Sequence, residues 1–258
     1  MLEEAELRPH QSRYWLTPAP ADPAVFAEQV QAVWDAYAQA ATFAAHGGHL
    51  VSCDEMTGTQ ALERAAPTLP LRPGQVERRE FEYIRHGTQC LIANFDVVTG
   101  QVATPSIGFT RTEADFAAHI DRTVATDPDA TWVFVVDNLN THQSETLVRL
   151  VLDRCDLALD REALGVKGDS GVLRSMATRA AFLTDPTHRI RFVYTPKHCS
   201  WLNQVEIWLS ILTRKLLRRA SFTSTDDLRD RILAFIAYFN RTMAKPFAWT
   251  YSGRPLAA

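Results

Sequence analysis

His49-Leu50-Val51-Ser52-Cys53 runs straight into Asp54, and Trp132-Val133-Phe134-Val135-Val136 runs straight into Asp137-Asn138. Both runs are short and apolar, and the second is dominated by β-branched and aromatic residues. They read as strands buried within a sheet, each stopping on a carboxylate. A third acid, Glu206, sits in Trp201-Leu202-Asn203-Gln204-Val205-Glu206-Ile207-Trp208, where the apolar spacing is helical. Strand ends that emit single carboxylates, with a helix supplying another, are a pattern suited to divalent-metal phosphoryl transfer.

Outward from these runs the chain organises itself. Residues 1–22 are polar and punctuated by Pro9, Pro18 and Pro20, so they read as an arm. A helix is expected over 24–45, with Val25, Phe26, Val30, Val33, Trp34 and Tyr37 at helical spacing and Gly47-Gly48 closing it. The arm and this helix make an N-terminal linker unit, residues 1–46. Residues 57–80 show no period and contain Pro67, Pro70 and Pro73, which predicts a long loop. Runs at 89–98 and 101–109 flank Thr99-Gly100 and predict a hairpin. Thr112 opens a helix to about 125, a strand covers 131–136, and a helix covers 144–157. A short strand at 191–194 precedes the Glu206 helix, expected from 202 to 219. A last helix starts at Ser224, with Asp227 completing the pattern of a capping box. The order predicts an α/β fold: a ribonuclease H-like, mixed five-stranded sheet flanked by helices, over residues 47–243. Residues 158–188 interrupt it as an insertion, and 244–258 form a C-terminal tail.

Composition sets limits. At 258 residues, 46% hydrophobic and 22% charged, the chain suits one ordinary globular domain with an arm. It holds no apolar run long enough to cross a membrane. Cys53, Cys90, Cys155 and Cys199 form no Cys-x-x-Cys pair, which argues for reduced thiols and against a zinc site. The net charge of −3 speaks against a nucleic-acid partner until its distribution is considered. Arg189, Arg191, Lys197, Arg214, Lys215, Arg218 and Arg219 face only one acid, Glu206, over that span. A basic segment therefore survives an acidic total.

Taken singly, each acid has an ordinary reading: a solvated turn residue at Asp54 or Asp137, a helix-start glutamate at Glu206. Together they carry more. On a helix, Val205, Trp208, Leu209, Leu212 and Leu216 share the core face, and Glu206 lies about 100° away from its centre. Trp201 and Trp208 read as core residues. Three clustered carboxylates raise one another's pKa. Hard divalent cations relieve that repulsion, because carboxylate oxygens suit Mg²⁺ or Mn²⁺.

The surrounding strings resemble a known family, the DDE transposases of bacterial insertion sequences, in the branch related to mariner transposases. The resemblance is carried by Val51-Ser52-Cys53-Asp54-Glu55-Met56-Thr57, Arg85-His86-Gly87-Thr88, Val136-Asp137-Asn138-Leu139-Asn140-Thr141-His142, and the stretch from Tyr194 through Thr195-Pro196-Lys197-His198-Cys199-Ser200 to Glu206. The ending Ala244-Lys245-Pro246-Phe247-Ala248-Trp249-Thr250 also matches. The resemblance implies that Asp54, Asp137 and Glu206 are a catalytic, metal-binding triad holding two Mg²⁺ or Mn²⁺ ions. It implies hydrolysis at terminal inverted repeats, then joining of the freed 3′ hydroxyl to target DNA, by a homodimer in the bacterial cytoplasm at the nucleoid. Asn138 and His142 would orient the site or touch a phosphate; a turn-forming Asn and a locally bonded His are the plainer alternatives. Lys197 and His198 are expected near the scissile phosphate, and Arg214, Lys215, Arg218 and Arg219 along the DNA, unless they are simply a solvated helix end.

Two features depart from the family. The helix-turn-helix modules that read the transposon end are not expected in this sequence, since Leu7-Arg8-Pro9-His10-Gln11-Ser12-Arg13-Tyr14-Trp15-Leu16 resembles the end of that region. The gap between Asp137 and Glu206 is longer than usual, and the 158–188 segment accounts for it. A second reading therefore stands beside the enzyme: a catalytically silent, truncated DNA-binding or regulatory remnant. A nuclease acting on another nucleic acid is a third.

Overall fold

Asp22 accepts hydrogen bonds from the backbone of Ala24 and Val25, and Pro23 occupies the first helical position, so a helix begins there. In the computed structural model, which describes residues 22–249, this is α1, Pro23–Ala45. Gly47, at φ 78°, turns the chain out of the helix into a strand. The elements then follow as β1 (Gly48–Arg64), β2 (Tyr83–Asp96), β3 (Val102–Gly108), α2 (Glu113–Val124) and β4 (Thr131–Val136). They continue through a 3₁₀ turn at Asn140–Gln143, α3 (Glu145–Arg154), α4 (Arg161–Leu164), α5 (Met176–Leu183), β5 (Ile190–Tyr194), α6 (Val205–Leu212) and α7 (Thr225–Thr242). No helix among the described residues is long and apolar enough to cross a membrane.

The five strands form one sheet in the order β3-β2-β1-β4-β5. β1, β2 and β3 pair antiparallel, whereas β4 lies parallel to both β1 and β5. This is the ribonuclease H-like arrangement. Strand periodicity sorts the core. Val51, Cys53, Trp132, Phe134, Val136, Phe192 and Tyr194 face α2, α3 and α5. Leu50, Val133 and Val135 face the other way, onto Val30, Val33 and Tyr37 of α1. Leu91, Ala93 and Phe95 lie under Trp208, Leu212, Ile232 and Phe239 of α6 and α7. Full burial of β4 on both faces is why its sequence lacks alternation.

Several expectations are corrected. The stretch 57–80 is not one long loop: β1 continues to Arg64 and pairs with β2 up to Arg64↔Tyr83, and bridges Leu69↔Arg78 and Arg72↔Gln75 extend the pairing. Its period was illegible because the ribbon projects with few buried side chains, and register shifts at Met56/Thr59 and Gln60/Leu62 break the alternation. The Glu206 helix is also not continuous. A 3₁₀ turn occupies Ser200–Leu202, α6 ends at Leu212, and a wider π turn covers Thr213–Leu217. Ser224 caps α7 through the Asp227 amide, but the Asp227 carboxylate accepts from Thr223, so the expected capping box is only half formed. Thr112 does make a full box, with Asp115.

The helix assigned to a linker packs on the sheet as one of its layers. Residues 158–188 are not a bare excursion either, since Leu173 and Leu183 join the core around Phe192. In the tail, the Phe247 ring stacks on Phe95 with centroids 4.5 Å apart. Residues 1–21 of the expected N-terminal arm, and the tail from 250 onward, lie outside the described residues.

Candidate active site

Parallel pairing between β1 and β4 ends at Ser52↔Val135. Asp54 lies two residues beyond that point, and Asp137 one residue beyond the end of β4. The acids therefore sit where the parallel part of the sheet opens, the usual place for a site in an α/β fold. Asp54 is within β1 rather than at its end, because the strand runs on along β2 after β4 has stopped.

Alternation along β1 divides Asp54 and Glu55 between opposite faces. Asp54, 8% exposed, turns toward α6. Its Oδ1 accepts from the Glu55 amide (2.7 Å) and its Oδ2 from Asn203 Nδ2 (3.3 Å). Asn203 ties the first acid to the third: its Nδ2 also donates to the Cys53 carbonyl (2.9 Å), and its own carbonyl accepts from the Glu206 amide (3.1 Å). Ser52 reinforces the junction by bonding Asn203 Oδ1 and accepting from the Val205 amide at 2.8 Å. Glu206 is thus held half-buried in the first turn of α6.

On the other face, Glu55 meets His142. Its side chain is 2% exposed and that of His142 is fully buried. Glu55 Oε2 lies 3.0 Å from His142 Nε2, and Asp137 Oδ1 lies 2.8 Å from His142 Nδ1. The Leu139 amide also donates to Asp137 Oδ1 (2.9 Å), so these bonds fall on one oxygen of that carboxylate. The imidazole packs on Phe116 with centroids 4.2 Å apart.

The charges explain the ionisation. Burial first, and then the charge of Asp137, push Asp54 up to about 7. Glu206 is raised by burial and by Asp137. Burial also works to raise Asp137, but the hydrogen bond and charge of His142 prevail and hold it below the usual carboxylate range. Burial disfavours the imidazolium; the bonds to Asp137 and Glu55 outweigh that and lift His142 to about 10. One carboxylate is kept ionised, and the other two resist ionisation in its presence. Cys53, next to Asp54, is fully buried with its thiol pushed well up, so it is no nucleophile.

Among the described residues, no group of three or more His, Cys, Asp or Glu is set to hold a metal ion unaided. The three acids are electrostatically coupled yet do not form a ready-made cage. That suits Mg²⁺ or Mn²⁺ better than zinc, since such ions keep waters and are shared between one or two carboxylates and a substrate phosphate. All-oxygen donors whose charges repel one another fit a hard divalent cation.

The remaining expected residues divide. Asn138 has both ends of its amide engaged, Nδ2 on the Thr195 carbonyl and Oδ1 accepting from Gln143 Nε2 at 3.0 Å, so it ties loops together. His142 is likewise turned inward. Lys197 and His198 are exposed on the loop between β5 and α6, with His198 at φ 63°. Arg214, Lys215, Arg218 and Arg219 are exposed on and after the π turn, away from bonds to the acids. Arg218 and Leu217 line an open groove of about 530 Å³ with residues 56–60, Leu62 and Arg64 of β1. Trp208 is core, but Trp201 is 47% exposed, against expectation, because it sits on the 3₁₀ turn before the helix. Reading by sequence missed Glu55, Asn203 and Arg111. The Asp54-Glu55 pair and the Asn203-to-Glu206 spacing were available signals, whereas Arg111, whose charge lowers Asp137, comes from a loop with no pattern.

A family model described as DDE superfamily endonuclease matches residues 49–229. The chain belongs to this family. No curated protein matches this DDE superfamily member. Among solved structures it is similar to the pre-cleavage Mos1 transpososome, with TM-score 0.54 and 11% identity over 92% of this chain and 61% of that one. It is also similar to the Mos1 strand transfer complex, with TM-score 0.51 and 13% identity over 92% of this chain and 60% of that one. At that identity the likeness is one of fold, and the chain spans about three-fifths of the length of those Mos1 chains.

Proposed function

We propose that the chain is the catalytic domain of a DNA transposase, in which Asp54, Asp137 and Glu206 direct phosphodiester hydrolysis at transposon ends and transfer of the 3′ hydroxyl to target DNA. The observation that carries this reading is the convergence of three acids drawn from β1, the end of β4 and the start of α6, with Asn203 bonded both to the Asp54 carboxylate and to the Glu206 amide. Asp137, kept ionised by His142, is the permanent anionic ligand. Burial and the charge of Asp137 disfavour the ionised forms of Asp54 and Glu206, so positive charge entering the cleft stabilises both carboxylates. A divalent cation bound there, one of a pair of Mg²⁺ or Mn²⁺ ions, would supply that charge and polarise the phosphate. No side chain acts as nucleophile; the chain orients water for cleavage and the 3′ hydroxyl for joining. In this reading the exposed Lys197, His198 and Arg111 contact phosphates, and Arg214, Lys215, Arg218 and Arg219 follow the duplex. Paired ends call for two copies of the chain.

The test is strand joining. A labelled duplex of the terminal DNA flanking the coding sequence, offered to purified protein with Mn²⁺ and a target plasmid, should yield a covalent joined product. Asp137→Asn should yield none. If wild type binds the duplex but neither cuts nor joins it, the catalytically silent, regulatory reading takes its place.

A further inference from the structure

Arg179, on α5, is 8% exposed. A guanidinium keeps its charge in proteins, so burying one is costly unless its donors are met. Here two of them are met by carbonyl oxygens. Nε donates to the carbonyl of Gln143 (2.5 Å) and Nη1 to that of Leu173 (3.0 Å). Gln143 is the last residue of the 3₁₀ turn that carries His142, and its side chain donates in turn to Asn138, the neighbour of Asp137. Asn138 passes the link to the Thr195 carbonyl, and Tyr194 Oη donates to the His142 carbonyl at 2.8 Å. The loop from Asp137 to Gln143 is thus held by β5 on one side and by α5 on the other.

We propose that residues 158–188 act as a brace for the second acid, with Arg179 as the positioning residue that sets the Asp137–Gln143 loop. This rests on the reading of Asp137 as a catalytic carboxylate. An apolar side chain could fill the same volume without burying a charge; the planar fork is what reaches Gln143 and Leu173 together. Without it the Gln143 carbonyl loses its donor and the loop is free to shift. Misplacement of a reacting group by about 1 Å costs on the order of 10²-fold in rate.

The experiment is single-turnover cleavage of the labelled terminal duplex with Mn²⁺, expressed per folded molecule after thermal melting. Arg179→Met should slow cleavage roughly 10- to 100-fold, as loss of an outer support does at comparable sites, while Kd for the duplex stays within about threefold. Arg179→Lys, which keeps one bond, should recover part of the rate. Gln143→Met cuts the next link while leaving its backbone carbonyl for Arg179. The double variant should then be no slower than Arg179→Met alone, because both changes break one chain. Should Arg179→Met fail to fold, the Lys and Gln143 variants decide: slowed cleavage at unchanged Kd supports the brace, and wild-type rates overturn it. The brace is also overturned if rate losses multiply in the double variant or track lost DNA affinity. An active wild type beside unaffected variants removes the brace alone; an inactive wild type removes the transposase reading and the brace with it.

Discussion

Asp54→Asn should make the metal-free protein more stable. Asp54 is buried, and its ordinary carboxylate value of 3.8 is pushed to about 7 in the fold by burial and then by Asp137. The folded state therefore holds the proton more tightly than the unfolded one. Its stabilising effect is complete below pH 3.8, declines as pH rises, and is gone above about 7. A tenfold change in proton affinity corresponds to about 1.4 kcal/mol, so the ionised carboxylate costs up to about 4 kcal/mol at pH 8. Interior sites respond as though the dielectric were about 20, so a working value of about 1–3 kcal/mol is expected. Asparagine removes the charge and can keep an acceptor for the Glu55 amide. The assay is thermal and urea unfolding of both proteins in EDTA, at pH 8 and near pH 4. The variant should melt several degrees higher at pH 8, since 1 kcal/mol moves Tm by about 2–4 °C in a chain of this size. That difference should vanish toward pH 4, and Mg²⁺ or Mn²⁺ should raise the wild type more than the variant. A variant less stable at pH 8 in EDTA, or a gain independent of pH, would refute the electrostatic account of the cleft.

Other consequences follow from the same structure. Burial, with a contribution from Arg122, holds His119 down at about 3, so it stays neutral in the fold and stability should fall by about 1.4 kcal/mol per pH unit below about 6.5 on its account. His119→Gln, judged by urea midpoints between pH 7 and 5, should lessen that slope; an unchanged slope would discount the buried imidazole. Glu55→Gln removes one of the two carboxylates paired with the buried His142 and should cost about 1.5–3 kcal/mol in chemical unfolding, whereas no measurable loss would mean that the pair is not charged. Replacing Arg214, Lys215, Arg218 and Arg219 by Ala should reduce the log–log salt slope of duplex binding by about 4, read from filter-binding titrations. No change in slope would place the DNA elsewhere.

Legibility in the sequence followed burial. β4 was plain because both faces of Trp132–Val136 are covered, leaving an unbroken apolar run with Asp137 at its end. Thr112 announced α2 because its cap is local, made with Asp115 three residues on. The outer part of β1 and β2 was hidden, since its order comes from cross-strand pairing rather than from an apolar face. Glu55 escaped for another reason. Alternation sends it to the face opposite Asp54, and its partner His142 is brought there only by the crossover into β4 and the turn that follows. Asn203 likewise stood inside a recognisable string, but its bond to Asp54 joins residues that only the folded chain makes neighbours.

The most direct measurement of the central claim is the single-turnover rate of Mn²⁺-dependent cleavage of the labelled terminal duplex by wild type, Asp54→Asn, Asp137→Asn and Glu206→Gln. The account predicts cleavage by wild type only, with each single substitution lowering the rate by at least about 10³-fold, because removing any one member of such a set removes most of its catalysis, while duplex binding persists. Cleavage that survives any of the three substitutions at near wild-type rate would contradict it.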